Sequence, residues 1–177
     1  MLAMTPDRLS DIRRASRALL VFFIFMSVIS LWGTLNSIVH PFPPGSRTLS
    51  GVVFEGAAIT AKVHYLWLLQ LLLGAALTLK VLYHLIRLMV LYSKGKVFTA
   101  QSVAQLRQAG LTNLGALAIW LIVLIGAAPE VAAAQDQWLN IMPSFPGGAL
   151  MSGLFLLFGS RIENEARELR DEQDLVV

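Results

Sequence analysis

The sequence predicts an all-α, polytopic membrane protein: a single domain of residues 1–177 that forms a four-transmembrane-helix bundle with both termini in the cytoplasm. Two observations carry this prediction. The chain is 56% hydrophobic and only 14% charged, which lies outside the usual balance of a soluble domain. Its basic residues border the apolar runs, where they set orientation. The chain contains no cysteine, so disulfides and thiolate metal sites are excluded.

The N-terminal 39 residues predict a surface helix that leads into the first span. Thr5, Pro6 and Asp7 are typical of a helix start, and the following arginine-rich stretch predicts an amphipathic helix at the lipid surface. Residues 18–39 are apolar except for hydroxyls and Asn36, and about 33 Å of helix is enough to cross the hydrocarbon. The run is too long for a signal peptide, and we expect it to be retained.

The second span begins after an outer loop. Residues 41–62 contain prolines, glycines and the β-favouring piece Val52–Phe54, but they specify no definite structure. Residues 63–88 predict the second span, and the apolar run continues to Tyr92, about 45 Å if helical. It therefore tilts, or its end projects into the cytoplasm.

A polar, basic stretch, Tyr92–Gly110, connects the second and third apolar runs and is called the connecting segment below. Thr99 predicts a helix cap within it, with Phe98 and Val103 in the positions of a hydrophobic staple. Residues 111–128 predict the third span. Hydroxyls of the first span, together with Asn36, Thr112 and Asn113, predict hydrogen bonds between helices rather than contacts to a substrate.

The fourth span is predicted at residues 145–162, and its small residues, such as Gly153, allow close helix approach and favour a homodimer. Residues 163–177 predict a charged cytoplasmic helix with ion pairs at i, i+4, among them Arg161 with Glu165 and Glu163 with Arg167. Residues 161–177 carry a net charge of −3, whereas the remainder carries +6. This tail is a solvated helix, folds back on the connecting segment, or docks a cytosolic partner.

Orientation follows from the distribution of the 14 lysines and arginines. Eleven lie before the first span, around the connecting segment, or after the fourth span, and only Arg47 and Lys62 lie in the outer segments. Lys80 is within the second span. The positive-inside rule therefore predicts that the N- and C-termini and the connecting segment lie on the cytoplasmic side.

Lys80, His84 and Arg87 share one helix face at spacings of four and three. Three interpretations remain open: snorkelling to phospholipid headgroups, an anchor for a partner or for the acidic tail, and a proton or ion path. His40 and His64 suggest interfacial histidines, a metal site or a pH sensor. Glu55, Glu130 and Asp136 are possible further metal ligands, but the long separations fix no metal geometry.

Several function classes are excluded by the absence of their motifs. No Ser, His and Asp arrangement, phosphate loop or HExxH helix is present, so we expect no enzyme activity and no cofactor. No basic stripe interleaved with aromatic residues is present either, so we expect no direct binding to nucleic acid. The lipid bilayer is the one partner that the composition requires.

Two pieces of the chain resemble one family. Gly95-Lys-Val-Phe-Thr99, followed by Leu106-Arg-Gln-Ala-Gly110, and the closing stretch from Ala166 to Val177 are similar to the bacterial four-helix membrane proteins grouped as the DUF2975 domain of unknown function. The resemblance covers the second span to the C-terminus, with Gln173 where the family commonly has asparagine. The resemblance implies a location in the bacterial inner membrane, and it implies no catalytic residue. Members are often encoded beside small helix-turn-helix repressors, which implies a membrane partner that holds or releases a regulator.

The leading hypothesis is therefore a non-enzymatic regulatory or sensor protein that docks a cytosolic partner. The docking residues that we predict are Lys94, Lys96, Phe98, Thr99 and Arg107 of the connecting segment, with Leu169, Asp174 and Leu175 of the tail. The alternative is a small transporter or lipophilic-ligand-binding protein with a cavity lined by Asn36, Trp67 and Asn113. A structural assembly subunit is a third alternative.

Overall fold

The computed structural model describes residues 6–39, 46–49, 52–55, 60–129 and 147–175. These residues form four long helices and a two-stranded hairpin. The elements are α1 (Pro6–Val39), β1 (Ser46–Leu49), β2 (Val52–Glu55), α2 (Ala61–Ser93), α3 (Ala100–Gly126) and α4 (Gly147–Leu175). The all-α prediction is confirmed, and the hairpin is an addition to it.

Three helices are long and apolar enough to cross a membrane. They are the Ser10–Val39 part of α1, Ala61–Ser93 and Ala100–Gly126. The first two include the predicted spans 18–39 and 63–88 and extend beyond them, because the polar residues that end an apolar run need not end a helix. The third starts well before the predicted span 111–128 but ends two residues short of it, at Gly126. The fourth predicted span differs: α4 runs from Gly147 into the charged tail as one helix, and it is not among the three.

Helix α1 places its polar side toward the protein and its apolar sides outward. From Ser16 onward, its buried and half-buried positions alternate at spacings of four and three: Ser16, Leu20, Phe23, Ser27, Ser30, Thr34 and Ser37. This edge packs on α2, while large side chains such as Phe25, Val28 and Trp32 are exposed. The pattern is the inverse of a soluble amphipathic helix, which buries its apolar face. It fits a helix whose outer surface meets lipid.

Helix α3 packs against both α2 and α4, and two glycines set its approach to α4. A Cβ at Gly110 would lie 3.0 Å from the carbonyl oxygen of Gly153, and a Cβ at Gly153 would lie 3.3 Å from that of Gly110. Asn113 Nδ2 donates to Ser152 Oγ at 2.6 Å across the same interface. The small residues thus serve packing within the chain, and Asn113 joins two helices as its sequence position predicts.

The hairpin packs against the end of the bundle that is opposite the connecting segment. Its strands are antiparallel, with Leu49 opposite Val52. The side chain of Leu49 is 0% exposed and lies in a cluster with Val63, Trp67, Val123 and Ala127. Burying a leucine side chain contributes about 1.5–3 kcal/mol, so this one residue ties the hairpin to α2 and α3.

Candidate docking site

The turn after α2 is a defined structure. Gly95 N–H donates to Tyr92 O at 2.9 Å, and Lys96 N–H donates to Leu91 O at 3.0 Å. These are the two bonds of a Schellman motif, which requires a left-handed residue after the cap. Gly95 has φ of 74°, so glycine suits this position. The turn therefore presents Lys94 and Lys96 on a fixed backbone, and both side chains are exposed.

Helix α3 then starts with reciprocal capping bonds. Ser102 N–H donates to Thr99 Oγ1 at 3.2 Å, and Thr99 N–H donates to Ser102 Oγ at 3.0 Å. This is a capping box in which serine replaces the usual Glu or Gln. The half-buried Phe98, at φ of 56°, precedes it. Thr99 is thus the N-cap, as predicted, and the cap fixes where Ser102 lies.

The same serine joins α3 to α4. Glu163 is 4% exposed, and its Oε1 accepts a hydrogen bond of 2.5 Å from Ser102 Oγ, which is 0% exposed. The Tyr92 phenol lies near the carboxylate, close enough for an electrostatic interaction with it. A buried carboxylate is costly unless it is hydrogen-bonded, so these contacts stabilise one register of α4 on α3. We call Tyr92, Ser102 and Glu163 the carboxylate contact.

The environment of Glu163 corrects the predicted surface pair with Arg167. The Glu163 Oε2 and Arg167 Nε atoms are both buried, and neither has a hydrogen-bond partner within the part of the chain that the structure describes. The predicted exposed pair does form between Arg161 Nε and Glu165 Oε1, at 3.4 Å. Helical spacing alone did not distinguish these two pairs, because it does not specify which face meets α3.

Basic residues gather around the turn from two helices. The guanidinium of Arg13 in α1 lies over Gly95, with its Nη2 3.4 Å from the position that a Cβ would take there. A cation at this place is favoured by the negative end of the α2 dipole. Arg107 is exposed on α3, two turns beyond the cap. The turn and the neighbouring residues Arg13 of α1 and Arg107 of α3 are therefore positively charged.

The tail continues α4 as one helix, and its first turn contacts the connecting segment through Glu163 and Ser102. Leu169 is 60% exposed, and Asn164 Nδ2 donates to Glu168 Oε1 at 2.7 Å along the helix surface. The helix continues to Leu175, but the side chains of Asp174 and Leu175 lie outside the described residues. Of the residues predicted for docking, Lys94, Lys96, Phe98 and Thr99 come together in the turn. Arg107 and Leu169 lie on the neighbouring helices.

Lys80, His84 and Arg87 do not form one site. Lys80 and Arg87 are exposed, and the Arg87 guanidinium lies 5.3 Å from the centre of the Tyr83 ring. The half-buried His84 points toward α3, where its Nδ1 is 2.8 Å from Gln105 Oε1. Its Nε2 is buried and has no hydrogen-bond partner in the described structure. Lys80 and Arg87 are thus exposed cations on α2, whereas His84 lies between α2 and α3.

The histidine hypothesis gains no support from the described residues. His64 packs against Trp67 with ring centres 5.8 Å apart, and His40 lies outside the described residues. The side chains of Glu55, Glu130 and Asp136 lie outside them too. No group of three His, Asp or Glu residues that could hold a metal occurs within the described part.

The structure places one of the three residues predicted to line a ligand site at a cavity, and ligand binding itself stays a prediction. A cavity of 240 Å³ lies between α1 and α2 and includes Trp67 in its lining. Asn36 is exposed and is not part of the lining, and Asn113 lies at the interface of α3 and α4 instead. The lining differs from the predicted one because α1 contributes its serine and threonine edge to the cavity, through Ser30 and Thr34. The sequence does not specify the rotation of α1 that turns this edge toward α2.

Sequence reasoning missed the carboxylate contact. A signal for it was present: Ser102 stands three residues after the Thr99 cap, at the position that a capping box requires. The burial of Glu163 had no such local signal, because its partner is 61 residues away in the chain.

Together, the apolar helices and the packed polar end define an α-helical integral membrane protein. Residues 52–177 match the family described as Protein of unknown function (DUF2975), and the chain belongs to that family. The matched region includes the hairpin strand β2, the connecting segment and the whole of α4. No curated protein and no solved structure matches the chain.

Proposed function

We propose that this protein is a non-enzymatic regulatory or sensor protein of the bacterial inner membrane that docks a cytosolic partner. The docking surface combines the exposed lysines of the turn, Lys94 and Lys96, with the tail of α4. The family resemblance suggests a helix-turn-helix transcription regulator as the partner. Neither an enzyme activity nor a direct contact with nucleic acid is part of this proposal.

The carboxylate contact is the observation that carries the proposal. Glu163 is held on Ser102, so the tail that follows it leaves the bundle beside the turn. A partner that binds this end meets exposed cations on the turn and an exposed leucine, Leu169, on the tail. Mixed charged and apolar surfaces of this kind favour recognition of another protein, with charge giving specificity and the apolar residue giving affinity.

We place this end in the cytoplasm and count α4 as a fourth span. The basic residues of α1, the turn and α4 lie at this end, which supports the orientation. Helix α4 runs antiparallel to α3, with Gly153 at Gly110 and Glu163 at Ser102. That course returns the tail to the end of the bundle where α2 meets α3. If α3 and α4 both cross the membrane, the tail lies on the same side as this turn. A homodimer stays a prediction, and its interface would have to lie outside the paired glycines.

The test is a capture experiment from native membranes with the full-length protein as bait. We expect the intact protein to retain a cytosolic protein with a helix-turn-helix domain, identified by mass spectrometry. Retention is expected to disappear in Lys94→Glu/Lys96→Glu, which reverses the exposed charge without touching the packed contacts, and in a chain that ends at Ser160. The matched control is Arg47→Glu, a charge reversal in the hairpin.

Two results would contradict the proposal. Capture of no cytosolic protein by the intact chain would remove its main support. Equal capture by the intact chain and by Lys94→Glu/Lys96→Glu would show that the turn is not the docking surface. Because the truncation also removes Glu163, its result counts only where the double lysine variant agrees with it.

A further inference from the structure

The cavity between α1 and α2 has polar walls inside two apolar helices. Its volume is 240 Å³, and its lining includes Ser30, Thr34, Trp67, Gln70, Gly74 and Thr78. It opens at the surface of the bundle, where Thr78 is exposed. Gly74 contributes to the open space of the cavity, because a Cβ at this position would have no atom within 4 Å. A cavity that joins apolar surface with a few polar groups is typical of sites for small ligands.

The hydrogen bonds of the two threonines determine what kind of group they can receive. Thr34 Oγ1 donates to Ser30 O at 2.9 Å, and Thr78 Oγ1 donates to Gly74 O at 2.9 Å. A hydroxyl has one hydrogen and two lone pairs, so each threonine has used its donor and keeps an acceptor. The two threonines therefore favour a ligand group that donates a hydrogen bond.

The volume of the cavity and the absence of charge in its lining narrow the class of ligand further. A cavity of about 150 Å³ holds benzene, so the 240 Å³ between these helices suits a molecule of about ten non-hydrogen atoms. The lining contains no charged side chain. A charged ligand would lose its hydration without gaining a counter-charge, whereas a neutral one enters readily from lipid.

From these observations we propose that the α1–α2 cavity is a binding site for a small, neutral, membrane-soluble alcohol or phenol. The ligand donates its hydroxyl hydrogen to Thr34 or Thr78 and packs its apolar body against Trp67 and the space above Gly74. This site is independent of the docking surface, which lies at the end of the bundle. It assigns to the membrane part of the chain a ligand class that an α-helical fold alone does not imply.

The test uses the fluorescence of Trp67, isolated by Trp32→Phe, Trp120→Phe and Trp138→Phe, with the full chain in nanodiscs. The probes are para-bromophenol and para-bromotoluene, which have the same size and quenching atom but differ in the hydroxyl. We expect saturable quenching by bromophenol, at a membrane concentration about two- to tenfold lower than for bromotoluene, because one hydrogen bond separates them. A chain with Trp120 as its single tryptophan reports the non-saturable background.

Two variants locate the site. Gly74→Leu fills the cavity and should abolish saturation, whereas Gly33→Leu, the same change at an open position on α1, should not. Thr34→Val/Thr78→Val keeps shape but removes both acceptors, and it should equalise the two probes. The proposal is overturned if the probes bind the unaltered cavity equally well, if saturation survives Gly74→Leu, or if Trp120 saturates in the same way. Should Gly74→Leu fail to fold, the threonine pair decides by itself.

Discussion

Glu163 is the residue whose environment differs most from what its neighbours in the chain indicate. It lies in a charged stretch that is otherwise largely exposed, yet it is buried and accepts a hydrogen bond from Ser102. A buried carboxylate that loses a donor retains its desolvation cost. The stability of this contact therefore depends on Ser102 more than the modest net value of one hydrogen bond suggests.

We expect Ser102→Ala to lower the free energy of unfolding by about 1–3 kcal/mol, because it removes both a capping interaction and a donor to a buried carboxylate. Glu163→Gln retains an oxygen acceptor and should cost less. The measurement is thermal unfolding in detergent, followed by helical circular dichroism.

Ser27→Ala is the matched control for this change. Its hydroxyl is half-buried and donates only to Phe23 O within α1, so its loss should be close to neutral. A second comparison is Ser102→Ala/Glu163→Met, in which an apolar side chain replaces the carboxylate and should recover part of the lost stability. Equal effects of Ser102→Ala and Ser27→Ala would show that the carboxylate contact adds nothing to stability beyond an ordinary hydroxyl bond within a helix.

Among the elements, the α3–α4 pair shows how closely two helices can be drawn together by small residues. Gly110 and Gly153 face each other with backbone atoms at the contact, so neither neighbour can move aside by changing a rotamer. Close backbone approach of this kind increases van der Waals contact, which stabilises helix pairs where no hydrophobic effect acts between them. The position of α4, and with it that of the tail, follows from this crossing.

Gly110→Ala is expected to destabilise the protein by about 1–3 kcal/mol, because its Cβ would lie 2.9 Å from Leu157 Cγ and 3.0 Å from a backbone oxygen. The matched control is Gly115→Ala in the same helix, where a Cβ meets nothing within 4 Å. Its better helix propensity should leave stability unchanged or raise it by up to about 1 kcal/mol. Detergent unfolding measures both variants, and similar destabilisation by the two would contradict the close crossing.

For the molecule as a whole, the absence of cysteine makes orientation directly measurable. Single cysteines at the exposed positions Ala61, Ala100 and Glu172 mark the hairpin end, the start of α3 and the tail. In intact spheroplasts we expect a membrane-impermeant maleimide to label Ala61→Cys alone. After permeabilisation, Ala100→Cys and Glu172→Cys should be labelled as well.

This labelling experiment distinguishes a wrong orientation from a wrong number of membrane crossings. Labelling of Ala100→Cys before permeabilisation would contradict the orientation derived from basic residues. Labelling of Glu172→Cys together with Ala61→Cys, but not of Ala100→Cys, would place the tail on the opposite side and would contradict a fourth crossing by α4. Either result would also remove the cytoplasmic docking surface from the proposed function.

Local features were predictable from the sequence because the residues that determine them are close together in the chain. The apolar runs within α1, α2 and α3, the Thr99 cap and the Arg161–Glu165 pair depend on composition or on spacings of a few residues. The basic distribution that predicts orientation is equally a property of the linear chain.

Other features depend on how whole helices rotate and meet, and no local pattern specifies that. The insertion of Leu49 between α2 and α3, the turning of the α1 hydroxyl edge toward α2 and the burial of Glu163 against Ser102 all join residues that are distant in sequence. A stripe of residues indicates which side of a helix is polar, but the partner that the stripe meets is selected by packing over the whole bundle. The carboxylate contact and the α1–α2 cavity therefore emerged from the packed bundle, while the membrane class was already determined by the amino-acid sequence.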